Sequence, residues 1–169
     1  LKRIENILRD WYKISVKTNI NDAKSNADKI DSAIHEYLSW QTMVQVYGLD
    51  DSLNNENEES LNGIASALKN ASDAAGKICV ADKDPNQGAK LLRYITIVEL
   101  LGLDGRAGLK VSDIQDQVKK CVKFKLSMTS HMVFSSVGSE GVSTVDATGE
   151  GILTLDNGLN LSGTGTITT

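Results

Sequence analysis

The stretch ADKIDSAIHEYLSWQTMVQVYGLDD, residues 27–51, decides how this chain is read, because it recurs. Residues 81–105, ADKDPNQGAKLLRYITIVELLGLDG, align to it without a gap. The alignment sets Trp40 against Tyr94, Thr42 against Thr96, Val44 against Val98 and Gly48 against Gly102. Each copy leads into a second helical segment that closes on cysteine and valine, KICV at Lys77 and KKCV at Lys119. Self-similarity of this kind points to two helical hairpins of one design, stacked so that each hides an apolar face the other cannot. The repeat units are residues 27–79 and 81–121, with a connection about a dozen residues longer in the first.

Helical spacing extends outward from the repeat. Residues 21–47 carry Ala23, Ala27, Ile30, Ile34, Tyr37, Val44 and Tyr47 on one stripe, widened by Trp40 and Met43, and stop at Gly48, a typical residue just past a helix end. Residues 58–78 place Leu61, Ile64, Leu68, Ala71, Ala75 and Ile78 on one face, with Glu58 and Glu59 at the start to complement the helix dipole. Asp84-Pro85 reads as an N-cap followed by proline at the first helical position, and Ser112-Asp113-Ile114-Gln115 as a capping box. Ahead of the repeat, Leu1, Ile4, Leu8, Trp11 and Ile14 fall at helical spacing. The Lys2, Arg3, Arg9, Lys13 and Lys17 of that segment, interspersed with Glu5 and Asp10, read as a solvated face rather than a membrane-surface helix.

From Val122 the composition changes to Ser, Thr, Gly and Val, and the apolar period changes from helical to alternate. Val122, Phe124, Leu126, Met128, Met132 and Phe134 predict one strand; Val145, Ala147, Leu153 and Leu155 a second; Leu159, Leu161 and Ile167 a third. In GEGILTLDNGLNLSGTG, a three-residue loop Asp156-Asn157-Gly158 sets Leu155 opposite Leu159 and Leu153 opposite Leu161. It also pairs Gly151 with Gly163 and Gly149 with Gly165, leaving a shallow trough for an aromatic or helical ridge from the first half, or for a ligand or partner strand. The last strand carries neither charge nor proline, so its edge is expected to pair with further β-structure; Gly149, Gly151, Gly163, Gly165, Thr164 and Thr166 are the candidate interaction residues. The expected fold is therefore α+β: a helical region over 1–121 containing the repeated hairpin, then a three-stranded antiparallel β-meander over 122–169.

Composition excludes more than it assigns. A length of 169 residues fits one domain with two subdomains, and a net charge of −4 argues against a nucleic-acid partner. No apolar run approaches a membrane span. His35 and His131 each neighbour a serine, yet no carboxylate is placed by spacing to orient either one. Ser66-Ala67-Leu68-Lys69 matches S-x-x-K without its partner motifs. The acidic run Asp50–Glu59 lacks the glycine and spacing of a calcium loop and reads as a solvated loop and helix start. The acceptor patterns at Asn70 and Asn160 are at chance level for this composition. No catalytic residue, metal or cofactor is expected. The two cysteines, Cys79 and Cys121, occupy equivalent repeat positions and form a candidate disulfide if the protein is exported. Stacked helices about 8–10 Å apart must converge there to bring the Cα atoms within about 7 Å; otherwise the pair serves as two small buried hydrophobes.

The passage from Asp84 through LLRYITIVELLGLDG and on to KKCVKFKLSMTS resembles a segment of secreted and lipoprotein-type prokaryotic proteins. In those a helix ends in a GL-plus-acid turn and a second helix ends in Cys before an F-x-L strand; here the matching residues are Gly102, Leu103, Asp104, Cys121, Phe124 and Leu126. The resemblance covers about a quarter of the chain and implies an exported protein, extracellular or at the cell surface, with no catalytic residue transferred. The functional expectation is a non-enzymatic structural or protein-binding module whose partners are other copies of itself, joined by strand addition. The alternatives are a hydrolase or carbohydrate-binding protein with its site at the helix–sheet junction, and a carrier of a small apolar ligand in the glycine trough.

Overall fold

A computed structural model describes residues 1–82, 84–121, 123–135, 142–155 and 161–168, the last three segments by their backbone. The chain opens with one long rod. Helix α1, Lys2–Trp11, passes through a π turn, Tyr12–Val16, into α2, Lys17–Ser25. The π turn inserts an extra residue, the Lys17 N–H bonding back to the Tyr12 carbonyl, and so rotates everything after it. Leu8, Tyr12, Val16, Ile20 and Ala23 form the buried side, while Ile14, which the plain helical period places inward, is 76% exposed. The polar run Lys17–Asn21 therefore stays helical. The break comes at Asn26, which is extended at φ −137° and ψ 105° and accepts the Asp28 N–H at 3.0 Å.

A 3-10 turn, Ala27–Lys29, then feeds α3, Ile30–Val46. The remaining helices are α4, Asn54–Asp82; α5, Pro85–Leu101; and α6, Val111–Cys121. Both α3 and α5 end in the same motif. Gly48 and Gly102 each sit at φ +62°, a left-handed conformation that costs glycine nothing. The Gly48 N–H bonds to the Gln45 carbonyl and the Leu49 N–H to that of Val44; Gly102 and Leu103 repeat this on Glu99 and Val98. Leu49 and Leu103 both drop into the core, completing a Schellman cap with its hydrophobic contact. At the start of α6, Asp104 Oδ1 accepts the Val111 N–H at 2.9 Å, so the acid of the cap turn holds the next helix and Ser112 is already helical. The length difference between the copies lies in the second helices, 29 residues for α4 and 11 for α6, rather than in a longer loop. The acidic run after Gly48 winds up as the first turns of α4.

Helix α4 is the hub, packing against α2, α3, α5 and α6. Its small residues permit this: Ala65, Ala67, Ala71 and Ala75 are buried, and a Cβ on Gly63 would stand 2.5 Å from Ile20 Cγ2. Around it lie Tyr12, Tyr37 and Trp40, whose rings stack in tilted contact at 5.6 and 6.5 Å, with Leu91, Val98, Ile114 and Val118 on the far side. The Trp40 indole N–H donates to the Leu8 carbonyl at 2.9 Å, which satisfies its one polar atom inside the core.

The fold is helical, which overturns the α+β expectation. The described residues within 1–121 hold helices and turns and no strand, and the described core lies entirely on them. An α+β fold requires helices that lay an apolar face on a sheet. Here the large aromatics Trp40, Tyr37 and Tyr94 are buried in the helical core. Past α6 the backbone follows β1, Lys123–Ser135; β2, Val142–Leu155; and β3, Leu161–Thr168, in the order β1-β2-β3. Their register departs from the expected hairpin by two residues: Leu155 pairs with Leu161, Leu153 with Gly163, Gly151 with Gly165 and Gly149 with Ile167. A shift of two keeps every side chain on its face, so apolar alternation cannot separate the two registers. The loop residues Asp156, Asn157 and Gly158, and Leu159, lie outside the described residues.

Candidate functional site

Polar side chains converge most densely on the first turn of α4. Each of four consecutive residues reaches a different element. Glu56 takes Arg9 of α1, which also bonds Glu5 at 3.0 Å and the Ser52 carbonyl at 2.6 Å. Asn57 accepts the Tyr37 hydroxyl of α3 at 2.8 Å. Glu58 holds Arg106, in the turn before α6, through two nitrogens at 2.7 and 3.3 Å. Glu59 pairs with Lys17 of α2 at 2.7 Å, beside the Tyr12 hydroxyl. Glu56 Oε2 is buried without a hydrogen-bond partner among the described residues.

These contacts set the ionisation of the cluster. Arg106 holds Glu58 below the usual carboxylate range, and Lys17 followed by Tyr12 does the same for Glu59. Burial pushes Tyr37 up to about 12 and raises Tyr12 further, aided by the Glu59 carboxylate. A second carboxylate, Glu36 of α3, is lowered by hydrogen bonds from Ser15 and from the Trp11 indole, the latter at 2.6 Å. These phenols and carboxylates thus titrate well away from neutral pH, whereas a working acid or base titrates close to the operating pH. The cluster is a structural clamp.

A groove of about 510 Å³ lies between α4 and α6, lined by Asp73, Lys77, Val80, Ala81, Gln117 and Lys120. Gly76 forms its floor, where any Cβ would run into Gln117. Asp73 is already engaged, by Lys69 at 2.8 Å and by the Gln117 amide at 3.5 Å. This lining offers two lysines and apolar walls, with no nucleophile beside a base.

The residues singled out from sequence are scattered. Cys79 is buried on α4 with its Sγ 3.5 Å from the Asp84 carbonyl oxygen, and Cys121 is the last residue of α6. His35 is exposed on α3, and His131 is a β1 position opposite Asp146 in register. Ser66 lies mid-helix in α4, and Lys69 is bound to Asp73. Ser72 of the Asn70 acceptor pattern is buried and bonded to the Leu68 carbonyl at 2.7 Å, while Asn70 is exposed and its amide donates to the Lys24 carbonyl at 3.1 Å; Asn160 lies outside the described residues. Thr164 faces Ile152 and Thr166 faces Glu150 across the β2–β3 ladder. Among the described residues no group of three His, Cys, Asp or Glu is placed to hold a metal, and no helix is long and apolar enough to cross a membrane.

One feature escaped the sequence reading although its signal was there. Under the repeat alignment Leu38 corresponds to Leu92 and Val46 to Leu100, and all four are exposed, Val46 at 67% and Leu100 at 79%. Between them Thr42 and Thr96 turn their hydroxyls back onto the carbonyls of Leu38 and Leu92, at 2.7 and 3.3 Å, leaving both rows apolar. Matched leucines on the outward side of two helices were legible as a second stripe besides the core one. No family model, curated protein or solved structure matches the chain.

Proposed function

We propose that this protein is a non-enzymatic structural or protein-binding module, exported to the cell surface or beyond, whose partners include other copies of itself. The observation that carries this reading is the pair of outward apolar rows, Leu38–Thr42–Val46 on α3 and Leu92–Thr96–Leu100 on α5. Exposed apolar side chains repeated at equivalent positions favour burial against a partner. Strand addition is a second route, supported by β1 and β3 each pairing with β2 alone. Size-exclusion chromatography with light scattering tests the reading on the whole chain. Assembly should be lost in Val46→Lys/Leu100→Lys if the helical rows carry it, and in Thr164→Lys/Thr166→Lys if the strand edge does. A monomer at high concentration would overturn both.

Export goes with a bridge between Cys79 and Cys121, at the ends of α4 and α6, two helices that pack together. The intact mass should then show no alkylated thiol until the protein is reduced. Full alkylation of both cysteines without reductant would remove this support for export. The hydrolase or carbohydrate-binding alternative has the α4–α6 groove on its side, close to where α6 hands the chain to β1.

A further inference from the structure

We propose that the outward face of the α1–α2 rod, with Ile7 and Ile14 framed by Lys2, Arg3 and Lys13, docks on an anionic phospholipid surface. The inference goes beyond the self-association argued above and stands without it. Three observations carry it. First, charge is segregated along the chain. Residues 1–25 hold six cations, Lys2, Arg3, Arg9, Lys13, Lys17 and Lys24, against the three carboxylates of Glu5, Asp10 and Asp22. That is +3 in a chain whose net charge is −4, so the remaining residues carry −7.

Second, the ion pairing sorts those charges by face. In sequence, Glu5 and Asp10 dilute the basic residues. In the fold Glu5 is turned to the flank and tied to Arg9, which also holds Glu56, and Lys17 is held by Glu59. What remains exposed outside those pairs is Lys2, Arg3 and Lys13, with Asp10 and, further along in α2, Asp22 as the opposing charges. Third, the π turn places Ile14 on that same outward side, 76% exposed, in company with Ile7 at 57%, opposite the buried row of Leu8, Tyr12, Val16 and Ile20. Bulky aliphatic side chains ringed by cations, on a helix whose other face is fixed to a core, are the features with which an interfacial helix lies on a membrane. The aliphatic tips enter the boundary region and the cations meet the headgroups. An acidic protein surface would satisfy the cations but not the two isoleucines. A neutral apolar partner would satisfy the isoleucines but leave three cations desolvated. An anionic lipid surface satisfies both.

The test is flotation of the full chain with lipid vesicles. The protein should float with phosphatidylcholine vesicles containing about 30% phosphatidylglycerol and stay behind with phosphatidylcholine alone; about 1 M NaCl, where the Debye length is about 3 Å, should release it. Lys2→Glu/Arg3→Glu/Lys13→Glu should lower the bound fraction more than about tenfold. Ile7→Ser/Ile14→Ser should lower it several-fold without changing the salt response. All five positions are exposed, so circular dichroism and the melting temperature should match the parent. Lys29→Glu/Lys110→Glu, a control away from the face, should bind as the parent does. Equal binding to neutral vesicles, binding indifferent to salt, or an equal loss in the Lys29/Lys110 control would each overturn the proposal, as would no flotation at all.

Discussion

The two hairpins, α3–α4 and α5–α6, end their first helices identically and then diverge. Gly48 and Gly102 adopt the same left-handed φ of 62°, and the same two hydrogen bonds close each cap. Yet the second helix is 29 residues long in one and 11 in the other. The end of a helix is a local affair, decided by a glycine, a following leucine and two backbone bonds. The length of a helix is decided by what there is to pack against. Helix α4 has partners along its length, α2, α3, α5 and α6, and clamps for its first turn from Arg9, Lys17, Tyr37 and Arg106.

That difference makes the first hairpin the anchor, and the matched pair Trp40 and Tyr94 gives the sharpest way to break the claim. Trp40 is wholly buried, stacked with Tyr12 and Tyr37 and bonded to the Leu8 carbonyl; Tyr94 is slightly exposed and has no ring partner among the described residues. Trp40→Ala should cost about 3–5 kcal/mol in urea unfolding, and Tyr94→Ala at least about 1 kcal/mol less. Equal costs would mean that the two copies carry the fold alike.

How much of this was legible beforehand follows the same division. The caps at Gly48 and Gly102, the Asp84 N-cap and most core positions of α3, α4 and α6 stand in the sequence because each depends on neighbours within a turn or two, although Tyr47 and Ile78, which the helical period places on those faces, are exposed. The π turn does not, since no residue in Tyr12–Val16 announces it; it exists because Tyr12, Val16 and Ile20 then reach one buried side, against Trp40 and Gly63. The run Asp50–Glu59 reads in sequence as a solvated loop with a helix start only near Glu58, because the counter-charges that hold it come from Arg9, Lys17 and Arg106, tens of residues away. The two-residue register shift at β2–β3 was invisible in principle, as period-two patterning is blind to it. The outward rows of α3 and α5 were legible and went unread beside the stronger core stripe.

The identity of the caps can itself be tested. A side chain at φ +62° pays about 1 kcal/mol relative to glycine, and nothing lies within 4 Å of a Cβ built at either position, so no steric term is added. Gly48→Ala and Gly102→Ala should therefore each cost about 1 kcal/mol and agree within about 0.5 kcal/mol. A cost confined to one of them would show that the caps differ in weight despite their shared geometry.

Acid acts on the part of the first hairpin that the second lacks. Glu58 and Glu59 are held below the ordinary carboxylate range by Arg106 and Lys17, and Glu36 by Ser15 and Trp11. A folded pKa below the unfolded one means the unfolded chain binds protons first as pH falls. The stabilisation is complete above the unfolded value and disappears through the lower, folded one. The melting temperature should be level down to about pH 5 and decline below about pH 4.3. Glu58→Gln/Glu59→Gln should start lower at neutral pH and decline less steeply. An unchanged acid limb in that variant would place the acid-sensitive carboxylates elsewhere.

The smallest effect is expected where the two hairpins touch through charge. Arg93 of α5 bonds Asp31 at the start of α3, the more exposed of two described ion pairs between the hairpins (the other is Arg106–Glu58), and its side chains are 58% and 59% exposed. At that exposure the Coulomb attraction is screened, and two long side chains lose rotamer freedom to hold it, so a double-mutant cycle on Arg93→Ala and Asp31→Ala should give a coupling below about 1 kcal/mol. It should shrink further at about 1 M salt. What binds the hairpins is then the apolar packing of α5 against α4, with Leu91, Val98 and the α4 alanines in one buried core, which salt leaves untouched. A coupling of several kcal/mol would reverse that order and make Asp31–Arg93 the fastening between the copies.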